Sequence, residues 1–448
     1  MRQTLAESGV HGVPKRYAMY SRGAGRAWAA EAWAVAAWVV LVGVALVWGA
    51  GVRADRGAHI QAAPFVGAWL PAWGWRVLPA AVAAAAAVAW GPELAARLSW
   101  RRLLTVAMLA AAAWAVALAL VDGPGALTAP LTTRYEYLHD VPRVASAGPR
   151  RFLETFVEQV PTFATHVKSH PPGMVLALWG LDRVGVGGPR WAAVLVLAGG
   201  AAGVVGALTA AKEMVGEAMA RRAAPFVALA PAAVFVATSP DAVFAGVAAW
   251  GVALLVLATG REGRRSDALA LGGGALLSAA LFLSYGAVLL LAVPAAVALA
   301  RRRRRPLAIA GLTVAAIALV FAVAGFWWLD GLSAARAAYH RGLASRRPYG
   351  YFLVANLAVF AVLLSPATAA ALTRLRHRRL WLLVGAALAS VALADLSGLS
   401  KGEVERIWLL FVPWVVLACA SLGPRVRGWL AVHVGTGLAL QLLLRSPW

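Results

Sequence analysis

The chain has 448 residues, of which 61% are hydrophobic, and its 42 basic and 19 acidic residues give a formal net charge of +23. A mean hydropathy of +0.73 excludes an ordinary soluble domain and is typical of a polytopic helical membrane protein. The basic residues stand in short clusters between apolar segments. The charge therefore indicates membrane topology, and nucleic acid is not an expected partner.

The apolar segments are continuous and lack the ~10-residue alternation of membrane β-barrels, so we predict helices, whose backbones satisfy their own hydrogen bonds in lipid. The only cysteine, Cys419, lies within an apolar segment, which argues against a disulfide framework or a cysteine-based metal site. The predicted spans are roughly 30–50, 77–95, 103–121, 190–210, 224–238, 241–259, 267–283, 286–300, 307–328, 351–368, 380–394, 407–421 and 428–444.

These segments predict an all-α, polytopic transmembrane fold of about 13 spans. Residues 1–29 would form a cytoplasmic N-terminal tail, and residues 30–448 would form a single integral membrane domain. A large external loop, residues 122–189, separates the third and fourth spans and is expected to carry the active site.

Charge then sets the predicted orientation in a cell membrane. With the N-terminus in the cytoplasm, every short inside loop is basic, as the positive-inside rule requires, and the C-terminus lies outside. The acids instead collect in the outside segments, which include Asp140, Asp241, Asp330, Asp395, Glu403 and Glu405. Separate segments would thus converge on one external membrane surface, as an external active site requires.

Two acids in the long loop are the first candidates for catalysis. Glu136 and Asp140 stand four residues apart, and a helix over Tyr135–Val144 would place both on one face. They would then act as a general base, or as a base beside a metal- or sugar-binding partner. Two solvated loop acids remain the simpler alternative.

The second loop motif is His170-Pro171-Pro172-Gly173, directly before an apolar, helix-like run over Met174–Leu181. Proline fixes φ and suits a first helical turn, so the motif would rigidify the entry into a helix. His170 would be held at the membrane surface near a lipid phosphate. The alternative is a plain helix start with an exposed histidine.

Later segments add candidates for substrate and phosphate binding. Arg406 or Lys401 would bind a phosphate, and Glu403 or Glu405 would bind a sugar hydroxyl or form a structural ion pair. A solvated helix terminus would explain the same four charges. Two weaker candidates are Asp241, which could equally cap a helix, and Tyr285, which could equally belong to an interfacial aromatic belt.

In this order, the motifs resemble those of the GT-C superfamily of polytopic glycosyltransferases, near the protein mannosyltransferases and the aminoarabinose transferase group. The resemblance covers roughly residues 103–300. It rests on Tyr-Glu-Tyr-Leu-His-Asp at 135–140, on His170–Gly173 leading into a helix with Trp179, on Arg190, and on Thr238-Ser239-Pro240-Asp241. In the family the loop acids are often adjacent, whereas here they are four residues apart.

The resemblance implies an inverting transfer of a sugar from a polyprenyl-phosphate donor, with a loop acid as general base. Carried to this sequence, Asp140 is the first expectation for the base and Glu136 the second. The acceptor would be an envelope glycan, glycolipid or protein, and membrane lipids would surround the site. Some relatives use a divalent cation, so Mg or Mn is an optional cofactor, although the sequence has no tight ligand cluster.

Two other functions remain open from the sequence. A multispan transporter or lipid flippase would share the architecture but would place charges at mid-membrane depth and often contain repeats. A non-catalytic membrane subunit with a transferase-like fold would keep the helices without the activity. The clustering of acids at one surface favours the enzyme.

Overall fold

The computed structural model describes residues 14–54, 60–423 and 425–448, with side chains from Trp28 onward. The described residues are almost entirely helical, which confirms the predicted all-α, polytopic class. Residues 1–13 of the predicted N-terminal tail lie outside this description, and α1 already begins at Pro14.

The first half of the chain forms three long helices, the helical loop and then three more long helices. Its α-helices are α1 (Pro14–Ala54), α2 (Leu78–Arg97), α3 (Trp100–Ala119), α4 (Val141–Ala147), α5 (Pro149–Gln159), α6 (Thr165–Lys168), α7 (Gly173–Arg183), α8 (Pro189–Val215), α9 (Glu217–Ala228), α10 (Asp241–Thr259) and α11 (Gly263–Leu283). Its 3-10 turns are Trp75–Val77, Leu120–Asp122, Pro124–Leu127, Pro130–Thr132, Tyr137–His139, Val160–Thr162 and Pro231–Phe235.

The second half continues the bundle with more broken helices. Its α-helices are α12 (Ala287–Leu290), α13 (Ala292–Ala300), α14 (Arg304–Val323), α15 (Trp328–Arg341), α16 (Tyr349–Arg374), α17 (Arg378–Leu396), α18 (Val404–Ile407), α19 (Val412–Val416) and α20 (Val426–Leu443). Its 3-10 turns are Leu343–Arg346, Trp408–Leu410 and Leu417–Ser421.

In the described part of the chain, nine helices are long and apolar enough to cross a membrane, or ten if the bent pair Val404–Leu410 and Val412–Ser421 counts as one span. The predicted count of about 13 is not confirmed. The segments at 224–238 and 286–300 are broken near Pro231 and Leu291 into shorter helices. The last segment, α20, has 18 residues but includes Arg427, His433 and Gln441, which lower its hydropathy.

Close packing of α8 against α10 positions one side of the site. A Cβ on Gly246 would lie 1.9 Å from the carbonyl oxygen of Gly199, and a Cβ on Gly206 would lie 3.0 Å from the carbonyl carbon of Ala249. Small residues at these crossings let the two backbones approach, as in membrane helix pairs generally. Asp241, the first residue of α10, is thereby held against the bundle.

A short antiparallel strand pair ties the end of α20 to the segment before α2. β1 (Ala68–Trp69) pairs with β2 (Leu444–Arg445). The pairing is extended by the Leu70 N–H, which donates to the Leu443 carbonyl at 3.1 Å. This pairing fixes the course of residues 444–448, which run on to Trp448.

The basic clusters predicted to lie inside meet one another and their acids, and we call this region the basic end. Glu213 of α8 lies 3.2 Å from Arg261 and 3.5 Å from Arg301, and Arg305 lies 2.7 Å from Asp267. Other ion pairs of this end are Lys212–Glu217, Arg221–Glu217, Arg303–Glu262, Arg427–Glu93 and Arg374–Glu31.

Candidate active site

The loop acids do not share one helix, so the predicted helix over Tyr135–Val144 is wrong. Glu136 has extended backbone angles, with φ −96° and ψ 164°, a 3-10 turn follows at Tyr137–His139, and α4 begins only at Val141. Pro142 explains this break, because its ring would clash with the carbonyl four residues earlier if a helix ran through it. The side chains of Glu136 and Asp140 consequently have different neighbours.

Asp140 is buried and serves the packing of the loop. One carboxylate oxygen lies 2.7 Å from Arg143 Nε, and the other accepts a hydrogen bond from the Ala164 N–H at 2.8 Å. Arg143 in turn donates to the hydroxyl and the carbonyl of Thr162. Both oxygens of Asp140 thus join the start of α4 to the segment before α6.

Glu136 is also buried, but one of its carboxylate oxygens has no hydrogen-bond partner among the described residues. Its Oε1 lies 2.7 Å from His166 Nδ1, although the two are not aligned as a hydrogen bond, and its Oε2 has no hydrogen-bond partner among the described residues. A buried carboxylate oxygen without a partner is unusual, because desolvation is costly unless a hydrogen bond compensates for it.

The His-Pro-Pro-Gly motif leads into α7, as predicted from the run Met174–Leu181. Pro171 and Pro172 are buried. A Cβ on Gly173 would lie only 2.3 Å from the Phe282 carbonyl oxygen at the end of α11. The motif therefore fixes His170 by packing the entry of α7 directly against another helix.

His170 is buried, so the prediction of an exposed histidine as the simpler alternative does not hold. Its Nδ1 lies 2.8 Å from the His166 carbonyl, and because a carbonyl only accepts, Nδ1 carries the proton. Burial lowers the pKa of His170 to about 4, with Asp241 opposing and Arg406 adding to that shift. Neutral His170 thus keeps a lone pair on Nε2, which lies 3.9 Å from Asp241 Oδ1.

Asp241 and Arg406 form the centre of the site. Arg406 Nη1 donates to Asp241 Oδ2 at 2.8 Å, and Ser239 Oγ donates to the same oxygen at 2.8 Å. Arg406 Nη2 donates to Glu403 Oε2 at 2.8 Å. We call Asp241, Glu403 and Arg406 the charged cluster. The sequence placed all three on one side of the membrane, and in the structure they are in contact.

A strained turn positions Glu403. Its φ of 65° is left-handed, which is uncommon for a residue with a side chain. Burial by the surrounding protein would raise the pKa of Glu403, but the Arg406 and Arg347 guanidiniums together hold it below its ordinary value. Arg347 Nη1 lies 3.5 Å from Glu403 Oε1 and donates to the Lys401 carbonyl at 2.7 Å.

Tyr137 lies close to Glu136, Asp241 and Arg406, and its ring packs edge-on against His170 with the centroids 5.9 Å apart. Its hydroxyl is buried without a hydrogen-bond partner in the part of the chain that the structure describes. Burial raises the pKa of Tyr137 well above its ordinary value, and the carboxylates of Asp241 and Glu136 raise it further. The hydroxyl therefore stays protonated and can donate to an anion.

Sequence reasoning missed two residues that complete the site, His166 and Trp448. The Trp448 ring centroid lies 4.9 Å from Arg406 Cζ, a cation–π arrangement, and 6.0 Å from the His166 ring. His166 stands four residues before His170 within the same loop, which is the one signal the sequence offered. The sequence around Trp448 contains no motif that predicts its place in the site, because Trp448 is brought there by the pairing of β2 with β1.

Three predicted site residues have their described contacts elsewhere. Tyr285 packs edge-on against Trp328 at 5.2 Å. Lys401 donates from Nζ to the Ser345 carbonyl at 3.2 Å. Glu405 is buried, its Oε1 accepts a hydrogen bond from the Val66 N–H at 3.1 Å, and its Oε2 has no hydrogen-bond partner among the described residues. Their predicted substrate contacts remain predictions.

Within the ranges that the structure describes, no group of three or more His, Cys, Asp or Glu side chains is arranged to hold a metal ion. The divalent cation of the family resemblance thus remains a prediction. The geometry itself provides a buried arginine held by two carboxylates, a neutral histidine and a protonated tyrosine. Two carboxylate oxygens, Glu136 Oε2 and Glu405 Oε2, have no hydrogen-bond partner among the described residues. Such a group can bind an anionic, hydroxylated molecule and accept a proton from it.

Among solved structures, the chain is similar to the crystal structure of ArnT from Cupriavidus metallidurans in the apo state, at 19% identity and a TM-score of 0.41. The match covers 70% of this chain and 60% of ArnT, so the chain spans less than two thirds of that protein's length. No protein-family model and no curated protein matches the chain. The function proposed below therefore depends on the geometry of the site.

Proposed function

We propose that the protein is a membrane glycosyltransferase of the GT-C type that moves a sugar from a polyprenyl-phosphate donor to an acceptor of the cell envelope. One observation carries the proposal: buried Arg406 donates hydrogen bonds to both Asp241 and Glu403. Nearby loop residues have buried polar atoms, Glu136 Oε2 and Tyr137 OH, without a hydrogen-bond partner among the described residues. Buried charges at a helix end usually serve function, because folding alone gains little from them.

Glu136 is our choice for the general base. Its Oε2 is buried and, within the described residues, unpaired, whereas both oxygens of Asp140 hold backbone and arginine groups. A base must have an oxygen available for the proton that it removes. Asp140 then positions the loop, and the sequence-based preference for Asp140 over Glu136 is reversed in this proposal.

The reaction balances with the groups present. An acceptor hydroxyl gives its proton to Glu136, its oxygen attacks the anomeric carbon, and the bond from that carbon to the phosphate oxygen breaks with inversion. The electron pair of the broken bond stays on the polyprenyl phosphate. Arg406 and the Tyr137 hydroxyl stabilise this growing negative charge, as preorganised donors do at other anionic leaving groups.

The lipid tail would lie along the apolar helix surfaces, with the phosphate and sugar at the external face. This orientation rests on the positive-inside pattern, because the site residues all fall in segments predicted to be outside. His170 remains neutral at neutral pH, since its pKa is about 4. It would therefore orient a hydroxyl or phosphate oxygen through hydrogen bonds rather than through charge.

The test is a transfer assay with purified protein, radiolabelled polyprenyl-phosphate sugars and an envelope acceptor. Wild type should transfer sugar, Glu136→Gln should not, and Asp140→Asn should lose thermal stability more than it loses turnover per folded molecule. Full activity of Glu136→Gln with no activity of folded Asp140→Asn would return the base to Asp140. Failure of every donor with well-folded wild type would favour a transporter or a non-catalytic subunit.

A further inference from the structure

A cavity of about 420 Å³ lies beside the charged cluster, between the end of α3, the turns that follow it and residues 441–448. Its volume falls within the range of ligand sites in proteins, about 300–1,000 Å³. We call it the Thr238–Trp448 cavity. Its polar lining residues are Asp122, Thr133, Thr238, Gln441, Ser446 and Trp448.

Two lining residues have buried polar atoms that the protein does not satisfy. Thr238 is only 5% exposed, and in the described structure neither its Oγ1 nor the Nε1 of Trp448 has a hydrogen-bond partner. A buried hydroxyl or indole N–H normally has a partner, and leaving either without one costs about 1–3 kcal/mol. Both residues line the same cavity, and a small rotation of either side chain would bring its polar atom to a ligand with hydrogen-bonding groups.

The cavity adjoins the proposed phosphate position. Trp448 lines the cavity and also lies 4.9 Å from Arg406 Cζ. On the other side, Thr238 directly precedes Ser239, whose hydroxyl donates to Asp241. A molecule with its phosphate at Arg406 could therefore extend a small attached group past Trp448 into the cavity.

The charged residue that lines the cavity, Asp122, restricts the chemistry of the group that can bind there. Asp122 accepts from Gln441 Nε2 at 2.9 Å and lies 3.2 Å from Arg445 Nε, so its carboxylate is already compensated. The remaining polar lining consists of hydroxyl, amide and indole groups. A neutral hydroxylated ring would satisfy these groups, whereas an ammonium group would meet a carboxylate that is already paired.

We infer that the Thr238–Trp448 cavity binds the sugar of the lipid-linked donor, that the sugar is a neutral hexose or pentose, and that Thr238 and Trp448 are specificity residues for it. This inference rests on the proposed function and adds to it the class of sugar. Trp448 offers an apolar ring for the C–H face of the sugar, and Thr238 offers a hydroxyl for one of its oxygens.

The test compares Kd values of short-chain polyprenyl phosphate with those of the same lipid bearing mannose, arabinose or an amino sugar. Thr238→Val removes the unpaired hydroxyl without taking a hydrogen bond from any described residue. The matched control is Thr209→Val: the Thr209 hydroxyl donates to the Val205 carbonyl of its own helix at 2.7 Å. We expect Thr238→Val to weaken binding of a neutral sugar lipid about 5- to 10-fold and to leave bare polyprenyl phosphate unchanged.

The outcomes separate this inference from the proposed function. If wild type binds bare polyprenyl phosphate but no neutral sugar lipid more tightly, or if Thr238→Val equals Thr209→Val, the cavity is not the sugar site and the phosphate site still stands. Tighter binding of the amino-sugar lipid than of both neutral ones would also overturn the inference. If wild type binds none of the lipids, the proposed function fails together with it.

Discussion

Ion pairs occupy both ends of the molecule, but their environments differ. At the basic end, the Arg305 side chain is 75% exposed where it meets Asp267. In the charged cluster, the Arg406 and Asp241 side chains are only 4% and 6% exposed. Exposed pairs contribute little, about 0–1 kcal/mol, whereas removing one partner of a buried pair costs about 3–5 kcal/mol.

The two regions also differ in how their charges are shared and in what surrounds them. At the basic end, Arg305 is largely exposed, and Glu213 faces two arginines, Arg261 and Arg301. We expect such pairs to tolerate the loss of one contact. In the charged cluster, Arg406 and Asp241 are buried, and the cluster lies beside polar atoms that no described residue satisfies, such as Glu136 Oε2 and Tyr137 OH. Buried arrangements of this kind are typical of functional sites.

The largest contrast should come from one acid. Glu136→Gln is expected to lower the transfer rate by about 10²–10⁴-fold, because it removes a general base and leaves the shape of the side chain unchanged. Its thermal stability should stay close to wild type. Glu154→Gln makes the same change in the same loop at a partly exposed residue that pairs with Arg150 and Arg151. Equal turnover of the two variants would contradict the role of Glu136.

A second contrast compares two arginines. Arg406→Lys should lower turnover about 100-fold, because a single ammonium cannot replace the two Nη groups that bridge Asp241 and Glu403 and stabilises a leaving phosphate less well. Arg305→Lys at the basic end should leave turnover unchanged. Parallel kinetics on both variants measure this. Normal turnover of folded Arg406→Lys would remove Arg406 from the reaction.

The entry to α7 gives a test of stability. Gly173→Ala should lower stability by about 1–3 kcal/mol, because the new Cβ would lie 2.3 Å from the Phe282 carbonyl oxygen. Gly180 lies in the same helix, about two turns after Gly173. A Cβ at Gly180 would have nothing within 4 Å, so Gly180→Ala should raise stability by up to about 1 kcal/mol. Unfolding midpoints in detergent would show opposite signs. If the unfolding midpoints of both variants shift in the same direction, the backbone at Phe282 moves to accommodate the new methyl group.

Sequence reasoning was most successful where the physical signal was local. Continuous apolar runs located helical segments throughout the bundle, and charge bias brought His170, Asp241, Glu403 and Arg406 to one side. The span count was less secure, because breaks near Pro231 and Leu291 shorten segments whose composition still looks apolar.

The rest depended on contacts between distant residues. A four-residue spacing suggested that Glu136 and Asp140 act together, but Pro142 ends any helix between them and packing gives each acid its own partner. Trp448 reaches Arg406 only because β2 pairs with β1, almost 380 residues earlier in the chain. No periodicity or motif records such a pairing.

The histidine beside the cluster predicts a pH effect. Folded His170 has a pKa of about 4, below the 6.5 of an unperturbed histidine. Between these values the unfolded chain binds a proton that the folded chain does not, so stability is present above about pH 6.5 and is lost as pH falls. One such group changes stability by at most about 1.4 kcal/mol per pH unit.

His170→Asn should flatten this dependence, because the Asn amide can still donate to the His166 carbonyl but does not titrate. Unfolding midpoints at pH 7 and pH 5 should differ less in the variant than in wild type. His340→Asn, at an exposed position, is the control and should keep the wild-type slope. Identical slopes for all three proteins would mean that His170 is already charged in the folded state.

The smallest effect on stability is expected for the exposed Arg305–Asp267 pair of the basic end. The double variant Arg305→Gln with Asp267→Asn removes a pair whose closest atoms lie 2.7 Å apart, yet it should cost no more than about 1 kcal/mol, because Arg305 is largely hydrated before and after. The coupling of the two residues in a double-mutant cycle should shrink further at 1 M salt, where the Debye length is about 3 Å. A coupling that is large and insensitive to salt would show that this pair is also shielded from water. The contrast between an exposed basic end and a buried charged cluster would then no longer hold.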